Sequence, residues 1–286
     1  MSLQPVIAQG ANKREPATDL RAAWDRIAPG YDENITPTHF WLSAEGLRRA
    51  GLRPGMSVLD VAAGSGAVSI PAARLGARVL ATDLSPAMLD RLSRRARSEG
   101  LEIETRAMDG QALELDDDSF DLVGSQFGVM LFPDMPRGIR EMARVTKPGG
   151  RVLVNAFGDF RKVEFFECFV SGIQAVRPGF TGPATPPLPF QLQDPKRLRD
   201  ELAAAGLKDV KVKTIIETLP PATGERLWNW LVCSNPVVEG VLSELGITSD
   251  ERKEVQQALD RVVRERAHGG DTVSLTNPVN IGVATK

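Results

Sequence analysis

The sequence predicts an α/β protein: a doubly wound, mostly parallel sheet with an antiparallel C-terminal finish and a helical cover. Three observations predict it. Short apolar runs alternate with helical periodicity from residue 57 to 156, and strands separated by helices pair in parallel through right-handed crossovers. A turn carrying Gly64 and Gly66 joins the first run to the helix after it. The alternation then breaks and returns as extended pieces near the C-terminus, which suits strands added antiparallel at one edge.

Each element has its own signal. Residues 1–16 are mixed polar without periodicity and are expected to form a loose or docked tail. From Thr18, Leu20, Trp24 and Ile27 recur at helical spacing until Pro29-Gly30, where the helix is expected to end. A second helix is predicted over Thr38–Ala50. Ser57–Val61 is the first strand, followed by the glycine turn and a helix to Leu75. Arg78–Thr82 is the second strand; Ser85-Pro86 then reads as N-cap and first helical position, and Gly100 stops that helix. Ile103–Ala107 and Phe120–Ser125 are strands three and four, Pro136–Val145 a helix, Lys147–Gly150 a turn, and Arg151–Ala156 the fifth strand.

Beyond residue 156, Val163–Val176 reads as an apolar helix, followed by a segment holding five prolines between Pro178 and Pro189. Asp194-Pro195 opens a helix that Gly206 closes, and Val210–Leu219 is a strand. Gly224–Gly246 and Ser249–Ala267 read as helices, and Thr272–Thr276 and Val279–Thr285 as extended pieces. The expected division is an N-terminal helical cover over 1–50, a core over 51–160, and a Phe/Pro-rich substrate cover over 161–193. Residues 194–220 and 271–286 complete the sheet, with a helical lid over 221–270.

Composition narrows the function. The 286 residues, 42% hydrophobic and 25% charged, suffice for one sizeable core or a core with a smaller addition. Thirty-five Lys and Arg against 37 Asp and Glu leave a net charge of −2, without the basic excess that neutralises phosphates, so nucleic acid is not an expected partner. Cys168 and Cys233 form no C-x-x-C pair, and His39 and His268 are the only histidines, so no metal centre is expected. No leader and no membrane-length apolar stretch is visible, and a cytoplasmic small-molecule protein is the expectation. Oligomeric state is not legible.

The chemistry concentrates at strand ends, where open α/β sheets bind ligands. In VLDVAAGSG (58–66), Gly64 and Gly66 let backbone approach a ligand and turn helix amides toward it. Asp60 lies in the first strand, Asp83 ends the second, 17 residues after Gly66, and Asp109-Gly110 follows the third. A carboxylate at Asp83 suits both hydroxyls of a ribose, and one at Asp109 suits an exocyclic adenine amine. Each could instead serve its turn: Asp60 by accepting loop amides, Asp83 by capping the turn before Ser85, Asp109 in a plain Asp-Gly turn.

Together with ATDLSPAMLDRL (81–92), DSFDLV (118–123) and KPGGRVLV (147–154), these features resemble class I S-adenosylmethionine-dependent methyltransferases, with a Rossmann-like core. Ala62 stands where the family's motif has its first glycine. The resemblance implies S-adenosylmethionine as cofactor, leaving as S-adenosylhomocysteine. It implies that the loop Ala62-Ala63-Gly64 to Gly66 holds the methionine end with Asp60 near the ammonium. Asp83 with Leu84 and Met88 would lie at the ribose, Asp109 and Gly110 at the adenine, and Tyr31 and Gln126 beside the cofactor. Tyr31-Asp32 and the His39/Trp41 pair echo the quinone-biosynthesis branch.

Two alternatives stay open: an NAD(P)-dependent oxidoreductase and a non-catalytic binding module. The first lacks the third small residue of its fingerprint, having Ser69, and a carboxylate at Asp60 would repel a pyrophosphate. The fourth strand ends in Ser125-Gln126-Phe127-Gly128, without the Asn/Asp-Pro-Pro-aromatic sequence of nucleobase amine methyltransferases.

Methyl transfer requires chiefly positioning and exclusion of water, and a base only where the acceptor must lose a proton. His39 is the candidate base; its bland alternative is a surface histidine at a helix start. With no other base visible, an amine or an activated aromatic carbon is the expected acceptor atom. Seven of the 11 phenylalanines fall between Phe157 and Phe190. They read either as core or, for Phe165, Phe169 and Phe180 with Phe127, Trp228 and Trp230, as an apolar acceptor pocket.

Overall fold

The run Ser57–Val61 is the strand β1 from which the sheet grows in both directions. In the computed structural model, which describes residues 17–183, 185–234 and 236–286, seven strands form one sheet of order β3-β2-β1-β4-β5-β7-β6. The strands are β2 (Arg78–Asp83), β3 (Ile103–Ala107), β4 (Phe120–Gln126), β5 (Thr146–Phe157), β6 (Lys208–Thr218) and β7 (Thr276–Thr285). β1 pairs in parallel with β2 on one side and β4 on the other, which opens a crevice where the chain changes direction across the sheet. β7 runs antiparallel to both β5 and β6, completing the expected finish.

Helices α1 (Ala17–Asn34), α2 (Phe40–Ala50), α3 (Ser69–Arg74), α4 (Pro86–Ser98), α5 (Met135–Val145) and α6 (Glu164–Gln174) precede α7 (Pro195–Ala204), α8 (Gly224–Ser234), α9 (Pro236–Glu244) and α10 (Ser249–Arg266). Sequence punctuation fixes several starts. Ser85 accepts the Met88 amide as N-cap of α4, with Pro86 behind it, and Asp194 accepts the Lys196 amide at α7. Thr248 and Glu251 form a reciprocal capping box at α10. None of the described helices is long and apolar enough to cross a membrane.

Two boundaries differ from expectation. α1 does not stop at Pro29 but carries it inside and runs to Asn34. An interior proline costs about 3 kcal/mol, and burial of Ala28 and Ile35 with packing of Tyr31 against the second apolar cluster offsets it. The predicted helix 224–246 is helical over Gly224–Ser234 and Pro236–Glu244, with Asn235 outside the described residues. The turn 147–150 sits inside β5 as an irregularity, where pairing jumps from Phe120↔Thr146 to Leu122↔Arg151. The predicted tail, residues 1–16, lies outside the described residues, as do Ala184, Asn235 and the side chain of Cys233.

Two main apolar clusters result. The first lies on both faces of the sheet and joins Val58, Leu59 and Val61 to Leu42 and Leu47 of α2, Ile139 and Met142 of α5, and Leu198 of α7. The second lies above the strand ends and unites Ile35 with Phe169 and Ile173 of α6, Leu227 and Trp230 of α8, Leu242 of α9 and Leu259 of α10. The candidate site lies where the two meet.

Candidate active site

The ends of β1, β2 and β4, with the turn after β3, line a partly open pocket of about 820 Å³, its mouth included. Ala62, Ala63 and Gly64 follow β1, Asp83 and Leu84 end β2, Asp109 and Gly110 follow β3, and Gln126 ends β4. Met88 of α4 and Trp24 and Tyr31 of α1 close it. Ala62 holds φ of +56°, the left-handed conformation that glycine takes freely. Gly64, at φ +55°, leaves room for the Tyr31 ring, whose Cε1 would stand 3.6 Å from an added Cβ.

Its carboxylates are organised by backbone. Asp83 Oδ2 accepts the Gly64 amide at 2.8 Å and Oδ1 the Ser85 amide at 2.8 Å, so each oxygen keeps a lone pair for a ligand hydroxyl. Burial pushes Asp83 up to about 6 against those hydrogen bonds. Asp109 Oδ1 holds the Gln111 amide at 2.8 Å, fixing the Asp-Gly turn. Burial also raises the Tyr31 phenol, with Asp83 adding to it.

A second cavity of about 710 Å³ adjoins the first. Trp24, Tyr31, Phe127 and Leu131 line both. Phe127 is held at φ +56° immediately after β4. A bulky residue there costs about 1–3 kcal/mol, and its ring stacks on Phe157 at 4.4 Å and meets the edge of His39 at 5.0 Å. Phe157 in turn contacts Phe165 and Phe190. The walls are otherwise Ile35, Met130, Leu219 and Trp230, with Thr38, His39 and Asn277 as polar points. His39 Nδ1 lies 3.0 Å from Glu217 Oε1, a carboxylate that is 1% exposed.

The structure therefore brings Tyr31, Ala62, Ala63, Gly64, Asp83, Leu84, Met88, Asp109, Gly110, Gln126 and Phe127 to one cavity. It brings His39, Phe165 and Trp230 to the other. Five expected residues line neither. Asp60 is buried beneath the loop, where Oδ2 accepts the Ser69 amide and hydroxyl at the start of α3. Burial pushes its carboxyl up to about 7, and Oδ1 has no protein partner. Gly66 serves packing: a Cβ there would stand 2.9 Å from Leu92 Cγ. Phe169, Phe180 and Trp228 belong to the second apolar cluster, as core rather than cavity lining.

Sequence reasoning missed Trp24, Phe157, Glu217 and Asn277. Trp24 was readable only as one apolar position of a helix, and Phe157 as one ring among seven. Glu217 carried a signal: an acidic residue within an otherwise apolar end of a strand, Ile215-Ile216-Glu217. Its partner His39 is 178 residues away, so no spacing could join them.

Residues 58–150 match the family described as "Methyltransferase domain". An uncharacterized protein of Mycobacterium tuberculosis is 48% identical over 103 residues, 36% of this chain and 38% of its own length. A demethylmenaquinone methyltransferase of Renibacterium salmoninarum is 39% identical over 158 residues, 51% of this chain and 63% of its own. The chain thus spans less than two thirds of the curated relatives it matches. A phosphoethanolamine N-methyltransferase of Haemonchus contortus, solved with phosphomonomethylethanolamine and S-adenosylhomocysteine, shares the fold. It aligns at TM-score 0.52 and 21% identity, over 86% of this chain and 52% of that one.

Proposed function

Starting from the match of residues 58–150 to a methyltransferase domain, we propose that the chain is an S-adenosylmethionine-dependent methyltransferase acting on a small, partly apolar organic molecule in the cytoplasm. One observation carries this reading: two adjoining cavities share a wall of Trp24, Tyr31, Phe127 and Leu131, one bearing Asp83, Asp109 and Gln126 at strand ends and the other more apolar. A donor and an acceptor held in adjoining cavities meet at that wall, and fixed proximity of this kind is worth up to ~7–11 kcal/mol of barrier.

The strand-end cavity suits the cofactor. Asp83 offers two part-used carboxylate oxygens for ribose hydroxyls, and Asp109 Oδ2, which takes a long contact from Gln111 Nε2 at 3.4 Å, keeps a lone pair for an adenine amine. Asp60 acts through the field of its buried carboxylate, below the loop Ala62–Gly64, and favours a cationic ligand there. Leu84, Met88 and Gly110 pack the base and sugar, and Tyr31 and Gln126 bound the rest. Asp60, Asp83 and Asp109 together would repel a dinucleotide pyrophosphate, which disfavours an oxidoreductase. When bound, the cofactor supplies an electrophilic methyl on a sulfonium whose sulfur keeps the bonding pair.

The chain's own residues do the rest. Gln126 Oε1 accepts from Ser43 and Asn155 and steadies the floor between the cavities. Phe127, Phe157 and Phe165 exclude water, and His39 stands where an acceptor proton would be taken. Similarity to a demethylmenaquinone methyltransferase is compatible with an apolar ring as acceptor. In this reading α1 and residues 221–270 are cover and lid over residues 51–160. Incubation with S-adenosylmethionine and a panel of apolar hydroxylated and aminated rings, followed by mass spectrometry, is expected to find an acceptor one methyl heavier. Binding of the cofactor without transfer to any of them would favour a non-catalytic module.

A further inference from the structure

The two strands at the antiparallel edge place polar groups against an apolar cavity. Glu217 on β6 and Asn277 on β7 are register partners, each 1% exposed. Glu217 Oε1 takes His39 Nδ1, while Glu217 Oε2, Asn277 Oδ1 and Trp230 Nε1 have no hydrogen-bond partner. His39, Asn277 and Trp230 line the cavity, among walls that are otherwise almost wholly apolar. A buried polar atom left unpaired costs about 1–3 kcal/mol, and the two on cavity-lining residues, Asn277 Oδ1 and Trp230 Nε1, point to a ligand that pairs them.

We propose that the acceptor is a flat apolar ring bearing an ionisable hydroxyl and a second oxygen, that His39 Nε2 removes the hydroxyl proton, and that Glu217 is the positioning residue for His39. The proposal rests on the methyltransferase reading. Glu217 accepts from Nδ1–H, which fixes the imidazole tautomer and leaves the Nε2 lone pair for the cavity. Among the described residues Nε2 has no protein hydrogen-bond partner. The acceptor's O–H bond breaks, an Nε2–H bond forms, and the electron pair stays on the oxygen. That pair makes the bond to the methyl, and the proton later passes from the imidazolium to water. The buried Glu217 carboxylate compensates the imidazolium charge while it exists. Trp230 Nε1 donates to the second oxygen, and Asn277 Oδ1 accepts from it when it is a hydroxyl. A neutral amine attacks with its own lone pair and would give Glu217 no task. The sequence alone favours an amine or an activated ring carbon for want of a base, and the His39–Glu217 pair supplies that base.

Binding and turnover test the two halves separately on the full chain. Tryptophan-fluorescence titration with 1-naphthol, 1-naphthylamine and naphthalene, without cofactor, is expected to show the naphthol at least about tenfold tighter. Equal affinities for naphthol and amine overturn the substrate class, whatever the cofactor does. Turnover of 1-naphthol in Glu217→Gln is expected to fall about 100-fold in kcat, with acceptor KM and S-adenosylhomocysteine affinity within about twofold. The deficit should shrink below about fivefold with 4-nitro-1-naphthol, which is already ionised and needs no base. A deficit of the same size for both acceptors, or no methylation of either by a protein that binds S-adenosylhomocysteine, overturns the role of Glu217. Failure to bind S-adenosylhomocysteine would instead remove the methyltransferase reading and leave the naphthol preference to stand or fall by itself.

Discussion

Asp83 holds a carboxylate where burial opposes its charge and where its oxygens already take two backbone amides. Asp83→Ala is expected to weaken S-adenosylhomocysteine binding at least about tenfold, since ribose hydroxyls would lose their acceptor; an unchanged dissociation constant would refute the ribose assignment. The pH dependence follows from the same residues. Burial raises Asp83 to about 6 and Asp60 to about 7, so between pH 4 and 7 the folded protein holds protons that the unfolded chain has released. Stability contributed by these two groups is therefore present at low pH and lost as pH rises through 6–7. Glu45, Asp121 and Glu251 are lowered to about 2 by their cationic partners and act oppositely, but their contribution is complete by about pH 5. The ligand-free melting temperature should thus peak near pH 5 and slip by pH 7, while S-adenosylhomocysteine affinity rises over pH 5–7 as Asp83 ionises. A flat affinity across that range would show that neither carboxylate meets the ligand. At Ala62, relief of the left-handed conformation in Ala62→Gly is expected to stabilise the fold by ~0.5–1 kcal/mol; urea midpoints would measure it.

At the scale of elements, α1 is fastened to α4 by two acidic clasps. Asp25 Oδ1 accepts the Ser85 hydroxyl at 2.5 Å and the Ala87 amide at 3.2 Å, adding to the N-terminal cap of α4. Asp32 pairs with Arg95 farther along the same helix. Between the clasps lies Tyr31, and Trp24 adjoins Asp25, so the shared wall of the cavities depends on where α1 is pinned. Asp25→Ala is expected to raise amide hydrogen exchange across residues 17–34 and to weaken S-adenosylhomocysteine about tenfold. Unchanged exchange there would mean that apolar packing alone holds α1. Most elements were readable because local chemistry announces them: Ser57–Val61 and Ile103–Ala107 match their predicted bounds, and Ser85 and Asp194 cap as their neighbours suggest. Pro29 misled because tertiary burial overrode a local cost.

Across the whole molecule, the strand ends of the cofactor side were legible because they fall in order along 50 residues of sequence, from Asp60 to Asp109. The acceptor side was not, because it is assembled from α1, β4, β5, α6, β6, α8 and β7, whose contributions meet only after the sheet closes. The phenylalanine surplus is correspondingly divided. Phe157 and Phe165 join Phe127 at the cavity, while Phe169 and Phe180 pack the second cluster. Truncation in that cluster should act on stability more than on specificity. Phe169→Ala is expected to cost about 3–5 kcal/mol and to lower the melting temperature. Phe165→Ala should chiefly raise acceptor KM.

Isothermal calorimetry of the full chain with S-adenosylhomocysteine, and with NAD as the control, tests the two-cavity reading most directly. One molecule of S-adenosylhomocysteine per chain is expected to bind, more tightly at pH 7 than at pH 5, with no heat from NAD. Binding of NAD alone, or of neither, would contradict it.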